Sequence, residues 1–250
     1  MIGIDSPIHS LEDLASLGRL SPVIERYRKY GYNASVGTAL APVSPLGGAI
    51  TWPTAAATLT AESSDNTDDK VSGVGAHTVV IYGLDANFQN VQESVTLNGT
   101  TPVATTASFI RVNRVSVATV GAYGGINTGN ISVKHGTDLL AYVPAGYGTT
   151  QQVIYTVPAG YTAVVESIRI GVESTKIATI IYFGRINAHN VSGNYSPFAV
   201  LDGNYGLINL NEKQVNIALP EKMDVYAAAL VLAGNGKVNV NLRMKLYKNL

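Results

Sequence analysis

The chain has 250 residues, with 17 basic residues (Lys and Arg) against 17 acidic ones, so its formal net charge is zero. Without a basic excess it lacks the phosphate-neutralising charge of a general polyanion binder, and we predict no nucleic-acid partner. It has no cysteine, which excludes disulfides, thiolate metal sites and cysteine nucleophiles. Only 14% of its residues are charged, less than in typical soluble domains, which favours assembly into something larger.

The ends and the apolar runs of the chain predict no membrane association. Residues 1–5 contain neither the basic segment nor the apolar segment of a secretory signal. The longest nearly apolar run, Val225 to Ala233, is far shorter than the ~20 residues of a membrane span. We therefore expect a soluble protein that is made in a cytoplasm.

The first 47 residues differ in kind from the rest and predict a short helical N-terminal arm followed by a linker. A capping box at Ser10 begins the first predicted helix, which ends at Gly18. Ser21-Pro22 has the chemistry of an N-cap and a first helical residue, and this second helix ends at Gly31. A linker of Ala, Pro, Gly and Val then leads to the next part of the chain.

The second predicted helix interleaves basic residues with tyrosines, a mixture that suits an interface of charge pairs around aromatic anchors. We predict that it docks on a partner. An amphipathic helix packed on the edge of its own sandwich is an equally good interpretation. The residues predicted for docking are Arg26, Tyr27, Arg28, Lys29, Tyr30 and Tyr32.

Residues 48–250 predict a run of short β-strands separated by glycine turns. Val, Ile, Thr, Tyr and Ala dominate this region, as in antiparallel sandwiches. We predict an all-β, jelly-roll-like antiparallel β-sandwich. It is either one composite sandwich or two joined sandwiches, with a possible division near residues 144–150. Pro144-Ala145-Gly146 and Pro158-Ala159-Gly160 predict two similar corners, in which the glycine takes a positive φ.

Two strands carry specific predictions. From Val238 to Leu246 apolar and polar residues alternate strictly, so one face of this strand is expected to be buried and the other exposed. The segment Ile177 to Phe183 is apolar on both faces, which predicts a strand covered on both sides, either by a second layer or by another subunit. We favour burial against copies of the same chain. Cyclic symmetry is the usual solution, and we favour a trimer.

No catalytic motif stands out, so we predict no enzyme, no cofactor and no metal site. The best metal candidate is the acidic cluster Asp65, Asp68 and Asp69, because hard oxygen ligands at close spacing hold calcium. It lacks the glycine and distal glutamate of an EF-hand loop, and a solvated turn is the favoured interpretation. The four histidines share no ligand spacing; they are His9, His77, His135 and His189.

Tyrosines in glycine-rich loops support an alternative of another class, a host-glycan-binding module. Exposed rings there would stack on sugars, although tyrosine is also typical of protein interfaces. A single tryptophan, Trp52, makes a dedicated carbohydrate module the weaker interpretation. The loop tyrosines are Tyr123, Tyr147, Tyr161, Tyr195 and Tyr205.

Several strand-and-turn segments resemble a family of virion structural proteins from tailed bacteriophages, especially phages of aquatic bacteria. They are Gly75–Asn87, Gln92–Val103, Phe109–Arg114, Tyr155–Ala163 and Ala218–Val225. The resemblance implies a non-enzymatic β-sandwich in the virus particle, and it carries over no site residues.

On this basis we predict a phage virion structural protein, most simply a capsid decoration or cement protein that stabilises the head. The alternative within the same class is a neck, vertex or tail-fibre component. The expected partners are the major capsid protein or other virion subunits, and copies of the chain itself. The expected location is the virion, assembled in the cytoplasm of the bacterial host.

Overall fold

The computed structural model describes residues 20–46, 48–174, 179–187, 196–203 and 211–249. In this part of the chain every regular element is a β-strand and every strand pairing is antiparallel, which confirms the all-β sandwich. The strands are β1 (Leu20–Val36), β2 (Ala41–Pro42), β3 (Ala57–Ser63), β4 (Ala76–Leu84), β5 (Asn90–Thr96), β6 (Val103–Phe109), β7 (Arg111–Val120), β8 (Ile131–His135), β9 (Asp138–Val143), β10 (Ile154–Thr156), β11 (Tyr161–Ser174), β12 (Thr179–Asn187), β13 (Ser196–Gly203), β14 (Asn211–Leu219), β15 (Met223–Val231) and β16 (Gly236–Asn249).

The strands from the two ends of the described chain form a jelly-roll sandwich. Its sheets have the orders β1-β16-β11-β14 and β10-β15-β12-β13. The pairs β1 with β16, β10 with β15, β11 with β14 and β12 with β13 nest inside one another. This is the connectivity of one long antiparallel hairpin that is folded into two facing sheets, which defines a jelly roll. The apolar core between the sheets includes Val165, Ile168, Val225, Leu242 and Leu246.

One strand of the jelly roll is split into two segments. Both β2 and β10 pair with the same side of β15. The amide of Val43, just after β2, donates to the carbonyl of Ala227 at 2.9 Å, and the amide of Val153 donates to the carbonyl of Val43 at 3.4 Å. The strand therefore continues from residue 43 to residue 153 as though the two residues were consecutive. Residues 44–152 are inserted into the middle of a strand.

The inserted residues form a second sandwich with its own core. Its sheets have the orders β6-β3-β8-β9 and β5-β4-β7. The chain enters after β2, and it leaves between the end of β9 at Val143 and the start of β10 at Ile154. Buried side chains from both sheets make up the core, among them Leu59, Ile81, Phe109, Val115 and Ile131.

The local patterns explain several of these elements. In β16 the apolar residues from Val238 to Leu246 are buried and the intervening polar ones are at least partly exposed, as the alternation predicted. Each large side chain buried in this way contributes about 1.5–3 kcal/mol. Both Pro-Ala-Gly corners end in a left-handed glycine, with φ of +78° at Gly146 and +80° at Gly160, also as predicted.

The helix predicted over residues 21–31 is wrong, because this segment lies within β1 and pairs with β16. The segment is rich in tyrosine, which favours strands. Pairing along the edge of β16 outweighs the helix-start signal at Ser21-Pro22, since tertiary pairing overrides helix propensity. The linker expected after the arm contains the end of β1 and all of β2. The first predicted helix, at residues 10–18, lies outside the described residues.

Candidate functional site at the seam between the sandwiches

A buried ion pair joins the two sandwiches. Arg111, the first residue of β7, donates from Nε to Asp224 Oδ1 at 3.1 Å and from Nη2 to Asp224 Oδ2 at 3.2 Å. Both side chains are less than one-tenth exposed. Thr156 Oγ1 donates to the same carboxylate, and Arg111 Nη1 donates to the carbonyl of Ile110 at 2.9 Å. These extra hydrogen bonds are what allow a buried ion pair to persist.

A second polar contact extends this junction. Asn113 Nδ2 donates to the carbonyl of Thr156 at 3.1 Å, and the amide of Thr156 donates to Asn113 Oδ1 at 2.8 Å. The side-chain amide of β7 thus serves as a hydrogen-bonding partner for the backbone of β10. We call Arg111, Asn113, Thr156 and Asp224 the seam network.

Aromatic rings surround the arginine of the seam network. The Arg111 guanidinium lies 5.3 Å from the ring centroid of Trp52 and 5.6 Å from that of Phe88. Phe88 packs in a small apolar cluster with the buried Leu84 and the partly buried Ile110 and Ala159. Cation–π contacts of a desolvated guanidinium contribute about 2 kcal/mol each. The seam is therefore held by both apolar and charged contacts.

Lys29 reaches the seam from the jelly roll. It lies on β1, is 4% exposed, and its Nζ donates to the carbonyl of Asn113. Burial, and then the nearby positive charge of Arg114, lower the pKa of Lys29 from 10.5 to about 7. An ammonium group loses its hydration at such a site, which favours the neutral amine. The charge of Lys29 therefore changes close to neutral pH.

A cavity of about 320 Å³ lies beside the seam network. Its walls come from residues 42–44, 46 and 48–53, which lead from β2 into the insert, and from Val153, Ile154 and Tyr226. Arg111 and Asp224 also line it, but their charged groups are bonded to each other. The lining is mainly apolar, so the cavity would select a bound molecule by its shape and would provide few hydrogen bonds to orient it.

The two faces of β1 divide the six residues that were predicted to dock together. Tyr27 points inward, where its ring lies 5.0 Å from that of the buried Tyr155 and packs against the jelly-roll core. Lys29 points inward to the seam. The other four residues share the outer face, on which Arg26, Arg28 and Tyr30 are exposed and Tyr32 is partly exposed.

Asp65 and Asp69 lie in an exposed turn, as predicted, but Asp68 does not. Asp68 is fully buried. It accepts hydrogen bonds from Ser63 Oγ at 2.6 Å and from the amides of Ala76, Thr128 and Gly129 at 2.7, 2.8 and 2.8 Å. A carboxylate with four donors needs no cation. In the described residues, no group of three His, Asp or Glu side chains is placed to hold a metal ion.

The loop tyrosines differ in exposure. Tyr123 is fully exposed, Tyr147 is 55% exposed, and Tyr161 packs against the jelly-roll core. Tyr195 lies outside the described residues, as does Tyr205. None of the described segments is a helix that is long and apolar enough to cross a membrane.

Sequence reasoning missed the seam network. Its members lie on β7, β10 and β15, and Arg111 and Asp224 are 113 residues apart. Only the fold brings them together, and no motif spacing links them. The one available signal is a charge inside an apolar run: Asp224 is the second residue of the otherwise apolar β15, where an unpaired acid would be costly.

No protein-family model matches the chain, and no curated protein sequence matches it. Among solved structures, the chain is similar to chains from infectious bursal disease virus. One is from the Gt strain (12% identity, 92% of this chain, 78% of that chain, TM-score 0.19). Others are from the T13 viral particle (12%, 92%, 74%, 0.20) and from the VP2 subviral particle (11%, 92%, 77%, 0.17). TM-scores this low carry no argument about the role of this chain.

Proposed function

We propose that the chain is a non-enzymatic structural protein of a tailed-phage virion, and that it decorates and stabilises the head. The observation that carries this proposal is the jelly roll with a second sandwich inserted into one of its strands. Jelly rolls build viral capsid domains, as well as lectins and cupins. The resemblance of the strand-and-turn segments to phage virion proteins selects the first of these classes.

The use of the buried charged groups supports a structural role. Arg111 and Asp224 bind each other, and Asp68 binds the surrounding loops. In a catalytic site such groups would instead be free to contact a substrate. Here each of these buried charges holds two parts of the chain together.

Counting copies in purified particles tests the decoration role. Mass spectrometry calibrated on the major capsid protein is expected to find on the order of hundreds of copies per particle, as a shell lattice requires. About a dozen copies would indicate a neck or tail component, since those structures have low cyclic symmetry. Absence of the chain from particles would overturn the virion assignment.

We further propose that the chain assembles as a trimer with copies of itself. Its low charged fraction of 14% and the two-sided apolar segment Ile177 to Phe183 support burial between subunits. Light scattering at micromolar concentration is expected to give three times the chain mass of 26.3 kDa. A monodisperse monomer would remove this proposal and weaken the decoration role.

Glycan binding remains the second candidate because two loop tyrosines are exposed. Tyr123 and Tyr147 both lie in loops of the inserted sandwich, where an aromatic ring is available to stack on a sugar. A glycan array probed with the full chain tests this function. Binding that Tyr123→Ala abolishes, together with absence from particles, would favour it over the virion role.

A further inference from the structure

The outer face of β1 carries a regular row of side chains. Arg26, Arg28, Tyr30 and Tyr32 point to the same side, and alternate residues of a strand lie about 6.8 Å apart. The four residues therefore span about 20 Å along one strand. Arg26, Arg28 and Tyr30 are exposed. We call these four residues the Arg–Tyr row.

The basic end of the row faces further positive charge. In the β1–β16 register, Arg26 lies opposite Lys245 and Arg28 lies opposite Arg243. Like charges directly opposite each other on neighbouring strands destabilise a sheet. Lys245 has an ion pair with Glu166, but Arg26 and Arg28 have none in the described part of the chain. Four basic residues therefore lie together at this end of β1 and β16, and the acid Glu166 is bound to one of them.

The other end of the row is aromatic. The amide of Tyr32 donates to the carbonyl of Gln151 at 3.0 Å, which brings the loop that carries Tyr147 next to this end of the row. Partial burial, followed by the nearby phenols of Tyr147 and Tyr32, raises the pKa of Tyr30. Tyr30 is 40% exposed and Tyr147 is 55% exposed. On β16, the residues opposite Tyr30 and Tyr32 are Asn241 and Asn239. On the β16 side, the rings are therefore bordered by polar side chains.

We propose that the Arg–Tyr row, together with Tyr147, binds single-stranded nucleic acid. Sites of this kind combine a basic track for the phosphates with aromatic rings on which successive bases stack. The row has these two parts in line, and its polar border suits a wet interface better than the apolar centre of a protein–protein contact. The prediction of no nucleic-acid partner came from net charge, which does not report where the charges lie. The proposal stands independently of the virion assignment.

Fluorescence anisotropy of the full chain with a labelled oligothymidylate of about 16 nucleotides tests the proposal. We expect binding whose affinity falls steeply between about 50 mM and 200 mM salt. The double variant R26Q/R28Q is expected to lose at least about tenfold in affinity at low salt, and to lower the slope of log K against log salt by about 1.4, or 0.7 per phosphate contact. R26K/R28K keeps the charge and is expected to keep that slope.

The aromatic part gives a different signature. Y30L/Y147L is expected to lose about tenfold in affinity per stacked base with the salt slope unchanged. The matched control is K70Q/Y123L, which removes an exposed basic residue and an exposed tyrosine from the inserted sandwich and is expected to bind as the original chain does. Circular dichroism melts establish that each variant is folded.

Three results would overturn the proposal. One is no binding at about 50 mM salt, where phosphate contacts are strong. Another is equal binding by R26Q/R28Q and the original chain. The third is equal binding of polyglutamate or heparin with no effect of Y30L/Y147L, which would make the row a docking site for an acidic protein or polysaccharide.

Discussion

The two sandwiches are assembled from the chain in different ways. The inserted sandwich uses one continuous stretch, from β3 to β9, whereas the jelly roll joins β1 and β2 to strands that begin at Ile154. The jelly roll must therefore close a loop of more than one hundred residues, and loop-closure cost grows only slowly with length. Val43 and Val153 are direct hydrogen-bonding neighbours, so a whole sandwich fits between them without distorting β15. The insert is therefore a separate module, and the jelly roll is the scaffold that carries it.

Excision of the insert is the strongest test of this difference. We expect that a jelly roll in which residues 44–152 are replaced by about four Gly and Ser residues still folds, because the carbonyl of Val43 and the amide of Val153 are 3.4 Å apart. Asp224→Asn is included so that no acid is left without Arg111. Residues 48–149 alone are expected to fold as well. Cooperative melts of two β-rich proteins by circular dichroism would support two modules.

Failure of both pieces to fold would contradict the comparison and make the seam part of a single core. If only the jelly roll fails, its stability depends on the seam network.

Parts of the fold were predictable because their signals are local. The alternation in β16 and the two Pro-Ala-Gly corners follow from strand period and from glycine's freedom at positive φ. The strand β1 was missed because its basic residues and tyrosines fall on both faces and show no alternation, while Ser21-Pro22 gives a helix-start signal. The seam network was not predictable, since the distance in sequence between Arg111 and Asp224 is bridged only by tertiary structure.

Breaking the seam is expected to have the next largest effect. Asp224→Ala leaves the Arg111 guanidinium buried without its partner, and we expect a loss of about 3–5 kcal/mol in the free energy of unfolding. Urea unfolding measures this loss. The signal is the fluorescence of Trp52, which is the chain's one tryptophan and lies at the seam. The double variant R111M/D224L removes both charges and is expected to lose less than Asp224→Ala alone.

An exposed ion pair provides the control for the seam. Lys237 Nζ lies 3.0 Å from Glu173 Oε1, and both side chains are at least half exposed. Glu173→Ala is expected to change stability by less than about 1 kcal/mol, because exposed pairs contribute little. A loss for Asp224→Ala as small as that of the control would show that the two sandwiches are not held by this pair.

Lys29 makes the stability of the seam depend on pH. Its pKa falls from 10.5 in the unfolded chain to about 7 in the folded one, so between these values the unfolded chain binds a proton that the folded chain does not. The free energy of unfolding therefore rises with pH across this window, and Lys29 adds no slope below it. Lys29→Met is expected to remove that rise, which is on the order of a few kcal/mol.

Urea unfolding at about pH 7, 8 and 9 measures this slope. The series stops there because burial raises the pKa of Tyr155, and a raised tyrosine pKa lowers stability at higher pH. Lys70→Met, at an exposed position, is the control and is expected to keep the original slope. An unchanged slope in Lys29→Met would mean that the ammonium is solvated in the folded protein.

The smallest expected change in stability comes from the outer face of β1. In the described part of the chain, the arginines on this face have no ion pair, whereas the inner face carries a buried amine. Arg28→Gln removes a positive charge that lies opposite Arg243, so we expect the free energy of unfolding to increase by about 0.2–0.5 kcal/mol at low salt. The gain should vanish at about 1 M salt, where the screening length is only about 3 Å. The same variant should bind oligothymidylate more weakly, so stability and binding move in opposite directions. If Arg28→Gln instead destabilises the chain at low salt, Arg28 lies in a favourable local field, and the excess of positive charge on this face does not exist.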